Sequence, residues 1–434
     1  MKIAVIGAGP MGLVCALELL KSGHSVEIFE YDDRIGGMSA SFDFDGLQIE
    51  RYYHFICKSD HTLFKLLREL GIENRLRWTD TRMGFYCNGS MYSWGNPSAL
   101  LTFDQLNFLD KLRYAAHVMY TKNVRNWRKL DQINAIDWLK RWLGERGYRV
   151  LWERLFHLKF YQYSKQLSAA WLGTRIKRVA LSRRSLMQET LGYLDGGSET
   201  LLDALRDKLE SLGGRIHLRT PVSRLIVSGN AVKGIEAGDA TFEFDQVLST
   251  VPIQFVPRLA PDLPASFIDK IERIENIPVV CVILKLREPL SRNFWTNICD
   301  PEVDIPGLIE YSNLNHAAGP AIVYAPFYMP KTHPKYKRPD EAFVDEVLSY
   351  LPRINPDFRR DWVLGQHCHR YAFAQTVCPP GFYDMLPSMR TPIAGFFMCD
   401  TAYYYPEDRS ISESARLGMK LARTASREIC PDGS

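Results

Sequence analysis

The chain is short of several things, and each shortage removes a class of protein. No uninterrupted apolar run in its 434 residues approaches the ~20 that a spanning helix needs, so no membrane-crossing segment is expected. Nine cysteines is an odd number, and no two stand at C-x-x-C spacing. That argues against a disulfide framework and against a metal site, and for a reducing compartment. The first residues read as a strand interrupted by glycines rather than a signal peptide, which makes a cytoplasmic location the expectation. Internal repeats and low-complexity tracts are lacking. No recognised nucleic-acid-binding motif accompanies the basic residues, so nucleic acid is not expected as a partner.

What is there is ordinary globular composition, 46% hydrophobic and 24% charged, with room for two or three domains and a large core. Aromatics are rather abundant at 12% and gather around Tyr52, Trp78, Tyr161 and Tyr403. They read partly as core and partly as the wall of a roomy apolar cavity. Net charge is +4 but uneven: residues 101–190 carry 18 Lys or Arg against 7 Asp or Glu. Such a segment is a set of solvated helix faces, a surface for an anionic membrane, or a lure for an anionic small molecule. Its interleaved Trp127, Trp138, Trp142 and Trp152 keep peripheral contact with the inner membrane face among the readings.

The most specific signal lies at the start. Residues 2–7 form an apolar strand run, Gly7-Ala8-Gly9-Pro10-Met11-Gly12 follows at once, and a helical stretch runs to Ser22. Ser25–Glu30 reads as a second strand ending in an acid. Gly7 permits a tight turn, Gly9 lets backbone approach a pyrophosphate, and Gly12 allows close helix–strand packing. The helix start offers free N–H groups and a partial positive charge to phosphates. Glu30 is placed to accept hydrogen bonds from a ribose diol, which disfavours a 2′-phosphate and leaves FAD or NAD. Arg34-Ile35-Gly36-Gly37 then lets the chain pass close to a second part of a long ligand.

The run from Gly7 to Gly37 resembles the N-terminal FAD motif of the flavin amine oxidase, protoporphyrinogen oxidase and phytoene desaturase superfamily, to which UDP-galactopyranose mutase is also similar. Two later blocks extend the resemblance. In residues 191–258 a glycine pair, Gly196-Gly197, precedes an amphipathic helix over 199–212, and strands follow through Val222 and up to Thr250-Val251-Pro252. Near the C-terminus a strand over 393–398 ends at Cys399-Asp400, and Ser410-Ile411 begins a helix. The superfamily usually has Gly-Asp at that strand end; Cys399 departs from it.

The resemblance implies an α/β fold, with a Rossmann-type FAD-binding domain built from three sequence segments, a mixed α+β substrate domain and a helical insertion. The segments are 1–80, 191–258 and 389–434; 81–190 holds a hairpin, with Asn88-Gly89 as its turn, and the helical subdomain; 259–388 is the substrate domain. FAD is expected to bind non-covalently, held by Gly7, Gly9, Pro10, Met11, Gly12, Glu30, Tyr31, Arg34, Gly36, Gly37, Met38, Val222, Thr250, Asp400, Arg409, Ser410 and Ile411. Val222 would meet the adenine through its backbone, and Asp400 a ribityl hydroxyl or the pyrophosphate. The helix start at Ser410 would face the flavin O2.

Flavin chemistry asks the protein mainly for orientation and electrostatics. His54, in the segment Glu50–Phe55, matches a histidine beside the flavin in mutase-like members and suits acid–base work. Arg370 is a candidate for a substrate carboxylate or phosphate, and Tyr404 for the cavity wall. The implied activity is dehydrogenation of an organic small molecule by hydride transfer to flavin N5, with oxygen or a quinone-like molecule as the acceptor left open. Alternatives are a redox-neutral nucleotide-sugar mutase and a flavin-binding scaffold without turnover.

Overall fold

The computed structural model describes residues 1–316 and 319–429. Two sheets organise it. The first is parallel and five-stranded, in the order Phe396–Met398, Gln246–Ser249, Lys2–Ile6, Ser25–Phe29 and Arg215–His217. Strands from both ends and the middle of the chain therefore interleave. Lys2–Ile6 lies at its centre, paired with Ser25–Phe29 on one side and Gln246–Ser249 on the other. Ile3, Ala4 and Val5 are fully buried, as a parallel sheet covered on both faces requires.

Helix Pro10–Lys21 covers this sheet, and the long helix Ile411–Ile429 packs against it. Their approach depends on Gly418. A Cβ there would stand 2.4 Å from the Met11 carbonyl and 3.0 Å from the Cys15 amide. The third segment is thus clamped to the first by backbone contact that only glycine tolerates.

The second sheet has seven strands, in the order Val363–Thr376, Asn276–Leu286, Ala321–Tyr328, Gly307–Glu310, Trp295–Ile298, Met83–Cys87 and Ser90–Trp94. Period-two alternation along Asn276–Leu286 splits its side chains between two cores. Val280, Val282 and Leu284 pack with helix Asp340–Ile354, while Val279, Cys281 and Ile283 belong to the main core. The hairpin turns at Asn88 and Gly89, with φ of 49° and 71°. Its Phe85, Tyr92 and Trp94 rings pack on Phe103 and Tyr114 of the segment that follows. Met83–Tyr86 pairs in parallel with Trp295–Ile298 and so extends the second sheet.

The segment 101–190 is largely helical, with Phe108–Asn123, Ala135–Tyr148, Arg154–Phe160 and Ala169–Leu181 as its main elements. Asn107, Asn134 and Ser168 cap three of them through side-chain oxygens, which explains the local starts. Trp138, Leu139 and Leu143 are buried between them around His117. That histidine is wholly enclosed, and burial pushes its pKa down to about 4, so it stays neutral. Glu189–Leu194 closes the segment and pairs with Leu76–Thr81.

Two strands are shorter than the apolar pattern predicts. The third-segment strand covers only Phe396–Met398, because Gly395 turns with φ 76°. The run toward Pro252 leaves the sheet after Ser249.

Candidate active site

Between the two sheets and the helical segment lies a cavity of about 930 Å³. One end is made of backbone. Gly7 turns the chain at φ +100°, and its N–H donates to the Phe29 carbonyl at 2.8 Å. A Cβ on Gly12 would stand 1.9 Å from the Gly7 carbonyl oxygen, so turn and helix are in direct contact. Gly9 is different: it lines the cavity, and a Cβ there would meet nothing within 4 Å. The helix behind it begins with proline, has no side-chain cap and carries no acid in its first turn. Open space faces uncapped N–H groups, which suits a pyrophosphate.

Glu30 lies at the rim of this space. One carboxylate oxygen accepts the Ala8 N–H at 2.7 Å and the other the Asp32 N–H at 3.0 Å. Burial raises its pKa, and these amide bonds hold it back. Each oxygen keeps a lone pair for a ribose hydroxyl. Pro10, Met11, Tyr31, Gly37 and Met38 line the cavity beside it.

The middle of the cavity is knotted together by Glu50. Its Oε1 accepts from the Ser198 N–H at 2.8 Å and the Ser198 hydroxyl at 2.5 Å. Its Oε2 accepts the His54 N–H at 2.9 Å and faces the His54 ring Nδ1 at 3.1 Å. Tyr324, from the second sheet, donates to the Glu50 carbonyl at 2.7 Å. One residue, through its carboxylate and its backbone carbonyl, thus fixes His54, the start of helix Ser198–Ser211 and the second sheet in one frame. The other His54 nitrogen faces Ser39 Oγ at 3.4 Å.

The third segment supplies Arg409, Ser410, Ile411 and Ser414 to the wall. Ser410 Oγ accepts the Glu413 N–H at 3.1 Å, and the Tyr404 hydroxyl bonds Ser414 Oγ at 2.6 Å. Helix Ile411–Ile429 therefore presents its N-terminus to the cavity, opposite Thr250 and the first glycine turn.

Five expected cofactor residues stand behind the wall rather than in it. Gly12 and Gly36 serve packing; a Cβ on Gly36 would press on Leu202 at 2.5 Å. The Arg34 side chain turns to Asp33 at 3.0 Å and to the Ser41 carbonyl at 2.7 Å. Asp400 spends its carboxylate on the Ile253 and Ala402 amides, at 3.0 and 2.9 Å, with its pKa pushed up to about 6 by burial. It joins the second segment to the third. Val222 begins a strand just after Thr220, whose N–H reaches the Glu30 carbonyl at 2.8 Å, but it does not line the cavity either.

The expected catalytic residues His54, Tyr404 and Arg370 all line the cavity. The Arg370 guanidinium does not serve it. Its N–H groups donate to Asp340 at 2.6 and 2.9 Å, to the Tyr336 carbonyl at 2.6 Å and to the Arg338 carbonyl at 2.7 Å. Period two along Val363–Thr376 turns Arg370 to the outer face and Tyr371 to the inner one, against Tyr52.

Sequence reasoning missed the cations at the other end. Lys159, Arg175 and Arg178 line the cavity beside Asp408 and Arg409. Arg175 pairs with Asp408 at 3.1 Å, and Arg178 with Asp60 at 3.0 Å and Asp408 at 3.5 Å. Their signal was the i, i+3 spacing of Arg175 and Arg178 behind Trp171, inside the basic segment.

A Rossmann-type sheet assembled from three stretches of chain, with an uncapped glycine turn at one end of a large aromatic cavity, defines a dinucleotide-dependent oxidoreductase. Comparison with known proteins takes this further. The pattern of the flavin containing amine oxidoreductases matches residues 12–406. The chain belongs to that family, and FAD is its cofactor. It is 26% identical to the zeta-carotene desaturase of Arabidopsis thaliana, over 100% of this chain and 86% of that protein. It is 24% identical to the zeta-carotene desaturase of Synechocystis, over 98% and 97%. In fold it is similar to the cyclohexylamine oxidase of Brevibacterium oxydans, with a TM-score of 0.73 at 16% identity over 99% of each chain. The protein is a flavin-dependent oxidoreductase.

Proposed function

We propose that the protein dehydrogenates an organic small molecule held in the cavity, by hydride transfer from a substrate carbon to flavin N5. The observation that carries this is continuity. One cavity runs from the glycine turn, past His54 and the Ser410 helix start, into an aromatic region lined by Tyr53, Trp295 and Tyr328. Bound FAD supplies the two-electron acceptor. The protein's own part is placement. The aromatic walls exclude water from the reacting carbon. Glu50 holds the His54 ring in one orientation, so its far nitrogen can accept or return a proton at the cavity. Tyr404, through Ser414, fixes the helix start whose N–H groups favour negative charge nearby. The test is anaerobic: candidate amines, tetrapyrroles and polyenes are added to the holoenzyme and flavin absorbance is followed. Bleaching by one class is expected; no bleaching by any of them would defeat the proposal.

A second reading concerns the cavity mouth. Phe108, Leu109, Leu112 and Met119 are 70, 54, 52 and 57% exposed on one helix, and Leu186 nearby is 71% exposed. Met119 and Leu186 also line the cavity. Exposed Arg113 and Arg125 accompany them. We infer that this face rests on an anionic lipid surface, so that substrate enters from the bilayer. Among the described residues no helix is long and apolar enough to cross a membrane. Flotation with phosphatidylglycerol vesicles should recover the protein, and Phe108→Asp with Leu112→Asp should abolish this. Equal recovery of both proteins would refute it.

A further inference from the structure

The cavity has a charged region whose cations, Arg409 apart, the flavin reading leaves without a use. Four cations, Lys159, Arg175, Arg178 and Arg409, face it against two carboxylates, Asp60 and Asp408. The two carboxylates are taken by Arg175 and Arg178. Arg409 donates to the Ala374 carbonyl. Lys159, half-buried on the cavity wall at the end of helix Arg154–Phe160, forms no hydrogen bond or ion pair among the described residues, although Asp408 is close enough to act on its charge; its contacts are with rings. Its ammonium lies 5.2 Å from the centroid of Tyr328, 5.8 Å from Trp171 and 6.0 Å from Phe160. The Arg175 guanidinium sits over the same Trp171 ring at 3.8 Å. An aromatic platform therefore carries two cations, one of them without an ion-pair partner among the described residues.

From this region a channel lined by Leu155, Phe156, Leu172, Ile176 and Val118 leads toward Met119 at the mouth. An unpaired buried cation costs folding energy unless a ligand completes it. Desolvation and the neighbouring Arg409 and Arg175 lower the Lys159 pKa to about 7, with Asp408 opposing, and a further anion beside the ammonium would raise it.

We infer that the substrate is an amphiphile whose carboxylate or phosphate docks on Lys159 and Arg175, with its apolar part lying in the channel. The inference rests on the cavity being the substrate site, and it separates this protein from relatives named for a hydrocarbon or an amine. FAD's own phosphates have their place at Gly9 and the uncapped helix.

The test uses holoenzyme and four probes: octanoate, octyl phosphate, octanol and octylamine. Binding is read from perturbation of flavin absorbance and from the melting temperature. One of the two anions should bind ~10- to 100-fold more tightly than octanol, and octylamine should bind worst. Whichever anion wins identifies the headgroup. Lys159→Met should erase the preference and Lys159→Arg should restore most of it, both with full flavin content. Equal affinities for anion and alcohol would overturn the inference. So would an anion preference that survives in Lys159→Met. Should anions bind through Lys159 while no compound bleaches the flavin, the dehydrogenation proposal fails and the anion site stands.

Discussion

The two ends of the cavity are built by opposite means. The nucleotide end is backbone: Gly7 at φ +100°, Gly9 with open space before it, and a helix start without a cap. The inner end is side chains, Lys159, Arg175, Arg178 and Asp408, brought together from two neighbouring helices and a loop far from them in sequence. Backbone recognition demands particular residues at fixed spacing, because only glycine leaves room or adopts the angle. Side-chain recognition demands only that charges converge, which many sequences achieve. The first end can therefore be recognised from the chain by itself, while the second appears only once the chain is folded.

The sharpest way to break this contrast is at the glycines. Gly12→Val places a branched side chain where even a Cβ would lie 1.9 Å from the Gly7 carbonyl. Loss of folded protein is expected, read as insoluble or colourless material. Gly9→Ala should fold with an unchanged melting temperature in the apoprotein, since its Cβ meets nothing. Its flavin affinity should nevertheless fall, measured by flavin content after dialysis. If both variants fail alike, the space at Gly9 is structural and not a ligand's. Glu30→Ala comes next, removing a charged acceptor from the ribose. A loss of ~10- to 100-fold in FAD affinity is expected, by titration of apoprotein with FAD.

The same contrast explains what could be read from the chain. The turn at Gly7, the acid Glu30 and the hairpin at Asn88-Gly89 are local devices, each fixed within a few residues. The placement of helix Ile411–Ile429 against the first helix is also local in its cause, the small residue Gly418. The roles of Asp400 and Arg370 were not legible. Asp400 lies at the expected strand end, but its partners are amides of Ile253 and Ala402, and no spacing rule reveals whether an acid faces a ligand or its own backbone. The face on which Arg370 emerges depends on the register of a strand whose neighbours lie ninety residues away. In the sequence Lys159 is one of 18 basic residues of the segment, and only tertiary packing sets it among rings on the cavity wall.

A smaller effect sharpens the electrostatics of the cavity wall. Glu189 is buried there, accepts from the Thr81 hydroxyl at 3.0 Å through one oxygen, and leaves the other without a partner. Burial raises its pKa to about 7, with Thr81 and Arg183 opposing. Its folded pKa lies above the unfolded value, so its neutral form stabilises the fold at low pH. That contribution is complete below the unfolded pKa of ~4.3 and is lost as pH rises through about 7. Glu189→Gln should remove this slope. Relative to the parent it should gain ~1–3 kcal/mol between pH 5 and 8.5 in denaturant unfolding. A constant difference between the two proteins across that range would show that Glu189 stays ionised.

The smallest effect expected is at Arg370, and it tests which face of the second sheet belongs to the substrate. Its guanidinium is held by Asp340 and two carbonyls on the outer side, where the pair is 28 and 48% exposed. Solvent weakens such a pair, so Arg370→Gln should cost only ~1 kcal/mol of stability. It should leave KM for the physiological substrate unchanged, because the cavity lies on the face occupied by Tyr371 and His369. Lys159→Met should do the reverse, raising KM while raising the melting temperature, since it removes a desolvated charge that no ion pair offsets. A raised KM in Arg370→Gln would mean that the arginine leaves Asp340 when substrate arrives. The sheet would then present charge on both faces, and the division between a structural cation and a recognising one would have to be redrawn.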